Sequence, residues 1–363
     1  MRRLLAAALF VLTLVPPAAG AQVDPPPVRI GILQASDAWS HRLAVDGFLH
    51  GMAESGWRDR IVVPDGARIT LDAPLTPDTM QAAARRLTSR VDLDLILSLG
   101  TAASRALLAE DGGAPVLALD VVNPGQAGLV GGERHPNRAN FAVLQLTRQW
   151  NDMFHLFHEV VNIRRLGAMV AEHENGPIVT KLREVARDGG FQLELYRGMD
   201  GAPDACETAL RSLLATHIDA FVIPSLGCFD PDTPGSAALL EALADRRVAT
   251  LAFEGTPLVR HGALLGPSAT AAERAGAKAA QMAISILGGA PPGSLETEMT
   301  FAPSVAVNLA TAARLGIDVP MDLLLAVDQV FLSRGMQPKT DDRGAAAPSH
   351  PRALATATAH SGL

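Results

Sequence analysis

Aromatic residues are scarce in this 363-residue chain: 11 Phe, 3 Trp and 1 Tyr make up 4% of the sequence. The core must therefore be built from Ala, Leu and Val. Positive charge is also in deficit, because 31 Lys and Arg stand against 38 Asp and Glu, a net charge of -7. Nucleic acids and anionic lipids are bound through an excess of basic side chains, so we expect neither as a partner.

No apolar run beyond the N-terminal segment is long enough to cross a bilayer, so we expect contact with a membrane only through a partner protein. Catalytic motifs are missing as well. The chain has no Gly-x-Ser-x-Gly elbow, no phosphate loop ending in Gly-Lys-Ser/Thr and no Cys-x-x-Cys pair. His155, His158 and Glu159 do not have the spacing of zinc protease motifs, and their amphipathic segment favours core packing. We predict no catalytic residue, no metal site and no cofactor.

Two cysteines, Cys206 and Cys228, are present. In an oxidising compartment an even number invites a disulfide, although spacing alone cannot establish one. Cys206 lies at the start of a predicted helix and Cys228 just after a predicted strand. Both therefore lie at the carboxyl edge of an α/β unit, and the bridged and free states both stay open at this point.

The first 21 residues have the pattern of a cleavable signal peptide. Arg2 and Arg3 precede an apolar run over residues 4–15, and Ala19-Gly20-Ala21 fits a small-residue cleavage site. We therefore expect a periplasmic protein that begins near Gln22. At the other end, residues 337–363 are dominated by Pro, Ala, Ser, Thr and Gly without periodicity, which predicts a disordered tail.

Residues 93–108 form the stretch around which the rest is organised. A short apolar run ends at Gly100, turns at Thr101 and continues into an Ala/Leu-rich helical segment. The first N–H groups of such a helix point toward the carboxyl edge of the sheet, where open α/β folds bind ligands. Gly100 would let a ligand approach, while Thr101 and the N–H of Ala102 would hold an anionic group. The alternative is a Thr101 that only caps its helix.

The remaining chain alternates short apolar strands with helical segments, which predicts parallel sheets with crossover helices. The pattern restarts near residue 166, after a Gly-rich, charged segment at residues 131–140 that we interpret as the first crossing. We predict an α/β fold of two doubly wound parallel-sheet lobes with an interlobe ligand cleft. The expected lobes are residues 28–138 plus 266–295, and residues 139–265 plus 296–331, in a monomer.

Several short motifs follow one another along the chain in a characteristic order: Ile30-Gly31-Ile32-Leu33-Gln34, Asp94-Leu95-Ile96-Leu97, Gly100-Thr101-Ala102-Ala103, Asn123-Pro124, Val222-Ile223-Pro224, Arg260-His261-Gly262-Ala263, Ile286-Leu287-Gly288-Gly289, Val307-Asn308-Leu309 and Leu315-Gly316-Ile317. With them the chain resembles, from Arg29 to about Phe331, the periplasmic substrate-binding proteins of ABC importers. The resemblance is to the type I binding-protein fold and to the branch for aromatic amino acids and related small solutes. Asn123 stands where that branch usually has the Asp of a Thr-Asp-Pro turn, which removes a carboxylate.

Candidate ligand-binding residues follow predicted strands and so reach one cleft. In the first lobe, Gln34 and Trp39 lie in the expected loop after the first strand, although Trp39 could equally pack on the surface. Asn123 follows the fourth strand, where it could also be a plain turn residue. The remaining candidates belong to the second lobe: Glu172, Ser225, Phe253 and Glu254. We expect Glu254 to pair with a ligand ammonium group, since a partly buried carboxylate needs a partner.

These features favour a solute receptor that closes on a small molecule, an amino acid or a related solute, and delivers it to an ABC permease. A second hypothesis is that the closed form is recognised by a membrane sensor or chemoreceptor ectodomain. A third, a periplasmic enzyme, would need a nucleophile and base that the sequence does not show. A neutral heterocycle or a small peptide fits the site nearly as well as a zwitterionic amino acid.

Overall fold

The computed structural model describes residues 26–37, 39–71, 76–121, 123–130, 138–145, 147–171, 175–199, 202–223, 226–295 and 304–333. The expected signal peptide and the expected disordered tail lie outside these residues. Within them, no helix combines the length and the apolar character that crossing a membrane requires.

Thirteen strands and eleven α-helices are formed by the described residues. The strands are β1 (Val28–Gln34), β2 (Ile61–Val62), β3 (Arg68–Thr70), β4 (Leu95–Leu99), β5 (Val116–Val121), β6 (Phe141–Gln145), β7 (Arg165–Ala171), β8 (Gln192–Met199), β9 (Ala220–Ile223), β10 (Ala249–Ala252), β11 (Leu265–Pro267), β12 (Val305–Asn308) and β13 (Gln329–Phe331). The helices are α1 (Trp39–Glu54), α2 (Pro77–Thr88), α3 (Thr101–Leu108), α4 (Thr147–Val161), α5 (Asn175–Gly189), α6 (Pro203–Ala215), α7 (Ser236–Asp245), α8 (Thr256–Arg260), α9 (Ala269–Leu287), α10 (Leu309–Leu315) and α11 (Met321–Ala326).

The first sheet has the strand order β2-β1-β4-β5-β6, and β3 also pairs with β1. All of its pairings are parallel. The central strands β1, β4 and β5 are mainly apolar and almost wholly buried because helices cover both faces of a parallel sheet. Sequence patterning predicted four strands here. The structure adds the two-residue strand β2 and extends the sheet by β6.

Strand β6 changes where the chain leaves the first sheet. It pairs with β5 over residues 141–145, whereas we expected the first sheet to end near residue 138 and the crossing to fall at residues 131–140. The next helix, α4, packs Phe154 and Phe157 against the core of the second sheet. The crossing therefore lies between β6 and α4. Residues 131–137 are outside the described residues, and the division of the chain into two lobes stays a prediction.

The second sheet has the order β13-β12-β11-β10-β9-β7-β8. Its pairings are parallel except for β11 and β12, which run antiparallel. These two strands are separated in the chain by α9 and the segment that follows it. That helix leaves the second sheet at Pro267 and packs on α1, which covers the first sheet.

Glycines allow α1 and α9 to approach backbone to backbone. A Cβ atom built on Gly276 would overlap the carbonyl oxygen of Gly47, and one on Gly51 would lie 2.9 Å from the carbonyl oxygen of Gly276. Phe48 and Met52 of α1 are fully buried beside this crossing. Helix α9 therefore completes one of the two hydrophobic layers of the first sheet.

Candidate functional site

The carboxyl ends of the parallel strands place most of the sequence-predicted residues at two sheet edges. Gln34 ends β1, Gly100 follows β4 and Asn123 follows β5 in the first sheet, while Glu254 follows β10 in the second. The two edges meet at the ion pair between Arg42 of α1 and Asp230, whose Nη2 and Oδ2 atoms are 3.5 Å apart. We call this contact and the strand ends around it the inter-sheet junction.

Gln34 is fully buried at the end of β1. Its Oε1 accepts hydrogen bonds from Arg68 Nε (3.1 Å) and Thr70 Oγ1 (3.3 Å). These two donors on β3 fix the orientation of the amide, because only an oxygen can accept both bonds. Within the described residues the buried Nε2 has no hydrogen-bond partner. A buried donor left in this way is costly, so Gln34 is suited to a ligand acceptor.

Trp39 is the first residue of α1 and not part of a loop, which corrects the sequence-based expectation. The helix starts earlier because the described turn after β1 is short. The indole lies within 5.2 Å of the Arg42 guanidinium, measured from Cζ to the ring centroid. In the described part of the chain, Trp39 Nε1 and Ser40 Oγ are both buried without a hydrogen-bond partner. Three polar side chains at the end of β1 and the start of α1 thus present unsatisfied groups.

Gly100 and Thr101 differ from the expected capping arrangement. Gly100 itself is the N-cap residue of α3, with φ of 86°, and Thr101 is the first helical residue, with 4% of its surface exposed. A Cβ atom on Gly100 would lie 2.8 Å from His41 Nε2. The glycine is therefore required by its positive φ and by the imidazole packed against it. Ala102, the next helical residue, is partly exposed.

The buried imidazole of His41 connects three elements at this edge. Its Nδ1 lies 2.9 Å from the carbonyl oxygen of Ser36, so Nδ1 carries the proton and donates it. Its Nε2 faces Gly100 and lies 3.7 Å from Oδ2 of Asp120. Asp120 and Asn123 both have positive φ, 51° and 47°, a conformation that Asp and Asn adopt more readily than most residues.

Asn123 keeps a side-chain donor for the site. Within the described residues its Nδ2 is buried without a partner, while Oδ1 lies 3.5 Å from the backbone nitrogen of Gln126. The turn interpretation and the binding interpretation are therefore compatible, because the oxygen faces the turn and the nitrogen does not.

Asp230 is the acidic group that sequence reasoning missed. Its side chain lies across the inter-sheet junction, where it accepts a hydrogen bond from the backbone N–H of Trp39 as well as pairing with Arg42. Burial raises the pKa of the Asp230 carboxyl above its usual value, although Arg42 and the Trp39 N–H act in the opposite direction. The sequence could have indicated Asp230, because this residue lies in the loop after strand β9, just as the other candidates lie after strands of their own sheets.

The Asp230 loop is held by a disulfide. Cys206 of α6 and Cys228 are bonded, with their Cα atoms 6.5 Å apart, and both are buried. Of the two states that the sequence left open, the structure therefore contains the bridged one. The Oγ of Ser236 also donates to the carbonyl oxygen of Phe229 at 3.1 Å. These contacts fix the turn immediately before Asp230.

Phe253 and Glu254 follow β10 in the second sheet. The Phe253 ring stacks on Trp150 of α4, with centroids 3.9 Å apart and planes 7° from parallel. Glu254 is 4% exposed. The next residue, Gly255, has φ of 79°, and a Cβ atom there would lie 2.6 Å from the carbonyl oxygen of Pro267. The turn that carries Phe253 and Glu254 is thus packed tightly against β11.

Glu172 and Ser225 lie outside the described residues, so their place in the site stays a prediction. Among the described residues, no group of three or more His, Cys, Asp or Glu side chains is arranged to hold a metal ion. What the described part of the junction offers is a set of hydrogen-bond donors on the first sheet and carboxylates on the second. This arrangement suits reversible binding of a polar molecule.

Solved structures show which class of protein has this fold. A conserved domain protein from Vibrio cholerae superposes with a TM-score of 0.67 at 18% identity, covering 84% of this chain and 99% of that one. The ABC domain from Streptococcus pneumoniae, solved with L-Trp, gives 0.67 at 19% identity, with 84% and 100% covered. A solute-binding protein of an ABC transporter from Burkholderia graminis, solved with D-arabinose, gives 0.53 at 13%, with 78% and 96% covered. At these identities the likeness shows the fold alone.

The two sheets and these neighbours show the type I periplasmic binding-protein fold, as the sequence motifs predicted. The family model for ABC transporter substrate-binding proteins matches residues 29–331. The chain therefore belongs to the ABC transporter substrate-binding protein family, and it is a binding protein and not an enzyme. No curated protein sequence matches the chain at a significant level.

Proposed function

We propose that this protein captures an amino acid or a related small polar solute at the inter-sheet junction and delivers it to the membrane subunits of an ABC importer. We place it in the periplasm, because residues 1–21 have the pattern of a cleavable signal peptide. Family membership supports the transport role. The observation that carries the choice of site is the buried, unpartnered Nε2 of Gln34 at the end of β1.

The donors at this edge support a ligand that brings hydrogen-bond acceptors. Gln34 Nε2, Trp39 Nε1 and Asn123 Nδ2 all belong to the carboxyl edge of the first sheet. A ligand carboxylate or carbonyl could accept from them, with Thr101 and the start of α3 alongside. On the opposite side, buried Glu254 and Asp230 suit an amino or hydroxyl group of the same ligand. The two sheets thus supply complementary halves of a site.

The first experiment is a thermal-shift screen of the mature protein, unfolded and refolded to remove bound solute. L-tryptophan and D-arabinose are the first probes, followed by other amino acids, sugars, nucleosides and vitamins. A solute that binds only the native state stabilises it by about 2.7 kcal/mol at a hundredfold excess over its Kd. The site is then tested with Trp39→Phe, which keeps a large aromatic ring but removes the Nε1 donor.

We expect Trp39→Phe to weaken binding of the identified solute about fivefold to tenfold, the effect of one hydrogen bond. The matched control is Trp57→Phe, because Trp57 packs on Arg60 at 3.9 Å, in the segment before β2 and away from the candidate residues. Equal losses in both variants would argue against this site. A screen in which no solute stabilises the refolded protein would contradict solute capture itself.

Delivery to an importer needs a separate measurement. In the native host, deletion of the gene should abolish uptake of the radiolabelled solute, and the wild-type protein but not a non-binding variant should restore it. Normal uptake with loss of a transcriptional or chemotactic response would instead support the sensor hypothesis.

A further inference from the structure

Asp230 is held rigidly in a position that spans the inter-sheet junction. Its turn is anchored by the Cys206–Cys228 disulfide and by the hydrogen bond from Ser236 to Phe229. The side chain reaches Arg42 and the backbone N–H of Trp39, both on α1 of the first sheet. Only 7% of the residue is exposed, and the partners of its carboxylate, Arg42 and the Trp39 N–H, come from the other sheet.

The negative charge of Asp230 is only partly compensated there. The distance from Oδ2 to Arg42 Nη2 is 3.5 Å, beyond the 2.7–2.9 Å typical of a strong charge-assisted hydrogen bond. Arg42 is also shared, because its Nη1 donates to the carbonyl oxygen of Asp37 at 2.6 Å and lies 3.2 Å from the Asp37 carboxylate. Within the described residues, Oδ1 of Asp230 is buried without a hydrogen-bond partner.

We propose that the carboxylate of Asp230 opposes closure of the cleft, and that a solute removes this opposition by donating an N–H or O–H hydrogen bond to Oδ1. Bringing the edges together buries a charge whose second oxygen is unmatched, which is unfavourable. A ligand donor satisfies that oxygen, so closure becomes favourable when the solute is bound. This inference rests on the proposed function only in placing the solute in the same cleft.

The chemistry of the ligand follows from the charges at Asp230. Arg42 favours the ionised carboxylate, and Asp37 disfavours it. An anionic ligand group at Oδ1 would add another negative charge in a buried place, so the group there is cationic or neutral. Because burial raises the pKa of Asp230, the closed arrangement takes up a proton more readily than the open one. Acidification should therefore favour closure in the absence of solute.

The decisive variant is Asp230→Asn in the full mature chain, with Asp232→Asn as the matched control, since Asp232 is exposed two residues away. We expect Asp230→Asn to raise the Tm by about 2 °C at pH 7 and the difference to vanish near pH 4. Hydrogen exchange at the Trp39 amide, which donates across the junction, should slow severalfold. The control should change neither value. A lower Tm and faster exchange would overturn the proposal, because they would mean that the Arg42 pair stabilises closure.

Arg42→Gln provides a second test that does not depend on one variant folding well. Removing Arg42 alone should lower the Tm at pH 7, and adding Asp230→Asn should restore it, because the uncompensated charge is then gone. Strictly additive effects of the two substitutions would contradict the proposal.

The donor requirement is tested with methylammonium chloride against tetramethylammonium chloride at equal concentration, because only the first cation can donate a hydrogen bond. In the wild type, methylammonium should slow exchange of the Trp39 amide more strongly than tetramethylammonium does. In Asp230→Asn, the two cations should slow it equally. Equal effects of the two salts on the wild type would overturn the donor requirement. None of these measurements uses a transported solute. Negative results here would therefore not contradict solute capture, and a thermal-shift screen that finds no solute would not affect the conclusions about Asp230.

Discussion

Reduction of the disulfide between Cys206 and Cys228 should lower the free energy of unfolding by about 3 kcal/mol. The two cysteines are 22 residues apart in the sequence. Closing a loop of this length removes conformational freedom from the unfolded chain, and the chain-entropy relation gives about 3 kcal/mol at 25 °C. Both sulfurs are buried in an apolar cluster with Phe221 and Phe229, so most native contacts should persist in the reduced protein.

The assay is urea unfolding followed by circular dichroism, with and without dithiothreitol. The midpoint should fall on reduction and the m-value should rise, because the reduced unfolded chain exposes more surface. The control is the double variant Cys206→Ala/Cys228→Ala, whose unfolding should not respond to dithiothreitol. A loss below about 1 kcal/mol on reduction, or an equal response of the control, would refute the loop-closure reasoning.

Three further predictions concern single side chains. Gly100→Ala should destabilise the protein by more than about 1 kcal/mol, because φ is 86° and the new Cβ atom would meet His41; the urea midpoint measures this. Asp92→Asn should lower stability at pH 7 and have a shrinking effect as the pH falls below about 4, because hydrogen bonds from two arginines depress the pKa of Asp92; paired thermal melts at pH 7 and pH 3 measure this. Trp150→Leu should cost about 1 kcal/mol or more through loss of the stacked Phe253 contact, as read from chemical unfolding.

Each of these has a result that would contradict it. The control for Gly100→Ala is Gly176→Ala, because a Cβ atom at Gly176 meets nothing within 4 Å and φ there is not positive. This control should leave stability nearly unchanged. Equal losses of stability in both variants would show that the positive φ of Gly100 is not the cause. An Asp92→Asn effect that grows in acid would have the wrong sign for a depressed pKa. A Trp150→Leu variant as stable as the wild type would show that the ring pair adds nothing beyond ordinary apolar burial.

The alternation of strands and helices could be predicted from sequence because the signals are local. Residues 95–99, for example, are apolar except for Ser98 and are buried throughout, as expected of a central parallel strand. The start of α2 also has a local signal, because Thr76 followed by Pro77 is typical of a helix N-terminus, and the structure has a capping box there. Family motifs spread over residues 29–331 then identified the fold, which the family model confirms.

The remaining features depend on contacts between distant residues. Strand β2 has only two residues, too few for a periodic pattern, and β6 is recognisable only once β5 is beside it. Asp230 and Arg42 are 188 residues apart, so no spacing rule could join them. Trp39 was placed in a loop because the polar residues before it look like one, whereas in the structure it is the first residue of α1.

The position of α9 in the chain also determines the order in which the protein can fold. Helix α1 is made within the first 54 residues, but the side of it that holds Phe48 and Met52 is covered by Ala279 and Ala283 of α9. A nascent chain that stops before residue 269 therefore exposes this apolar surface. The N-terminal sheet cannot finish folding as an independent unit during synthesis, because its last layer comes from a helix that follows five of the seven strands of the second sheet. Folding of the two sheets is thus coupled by chain order, and contacts of such long sequence separation form slowly.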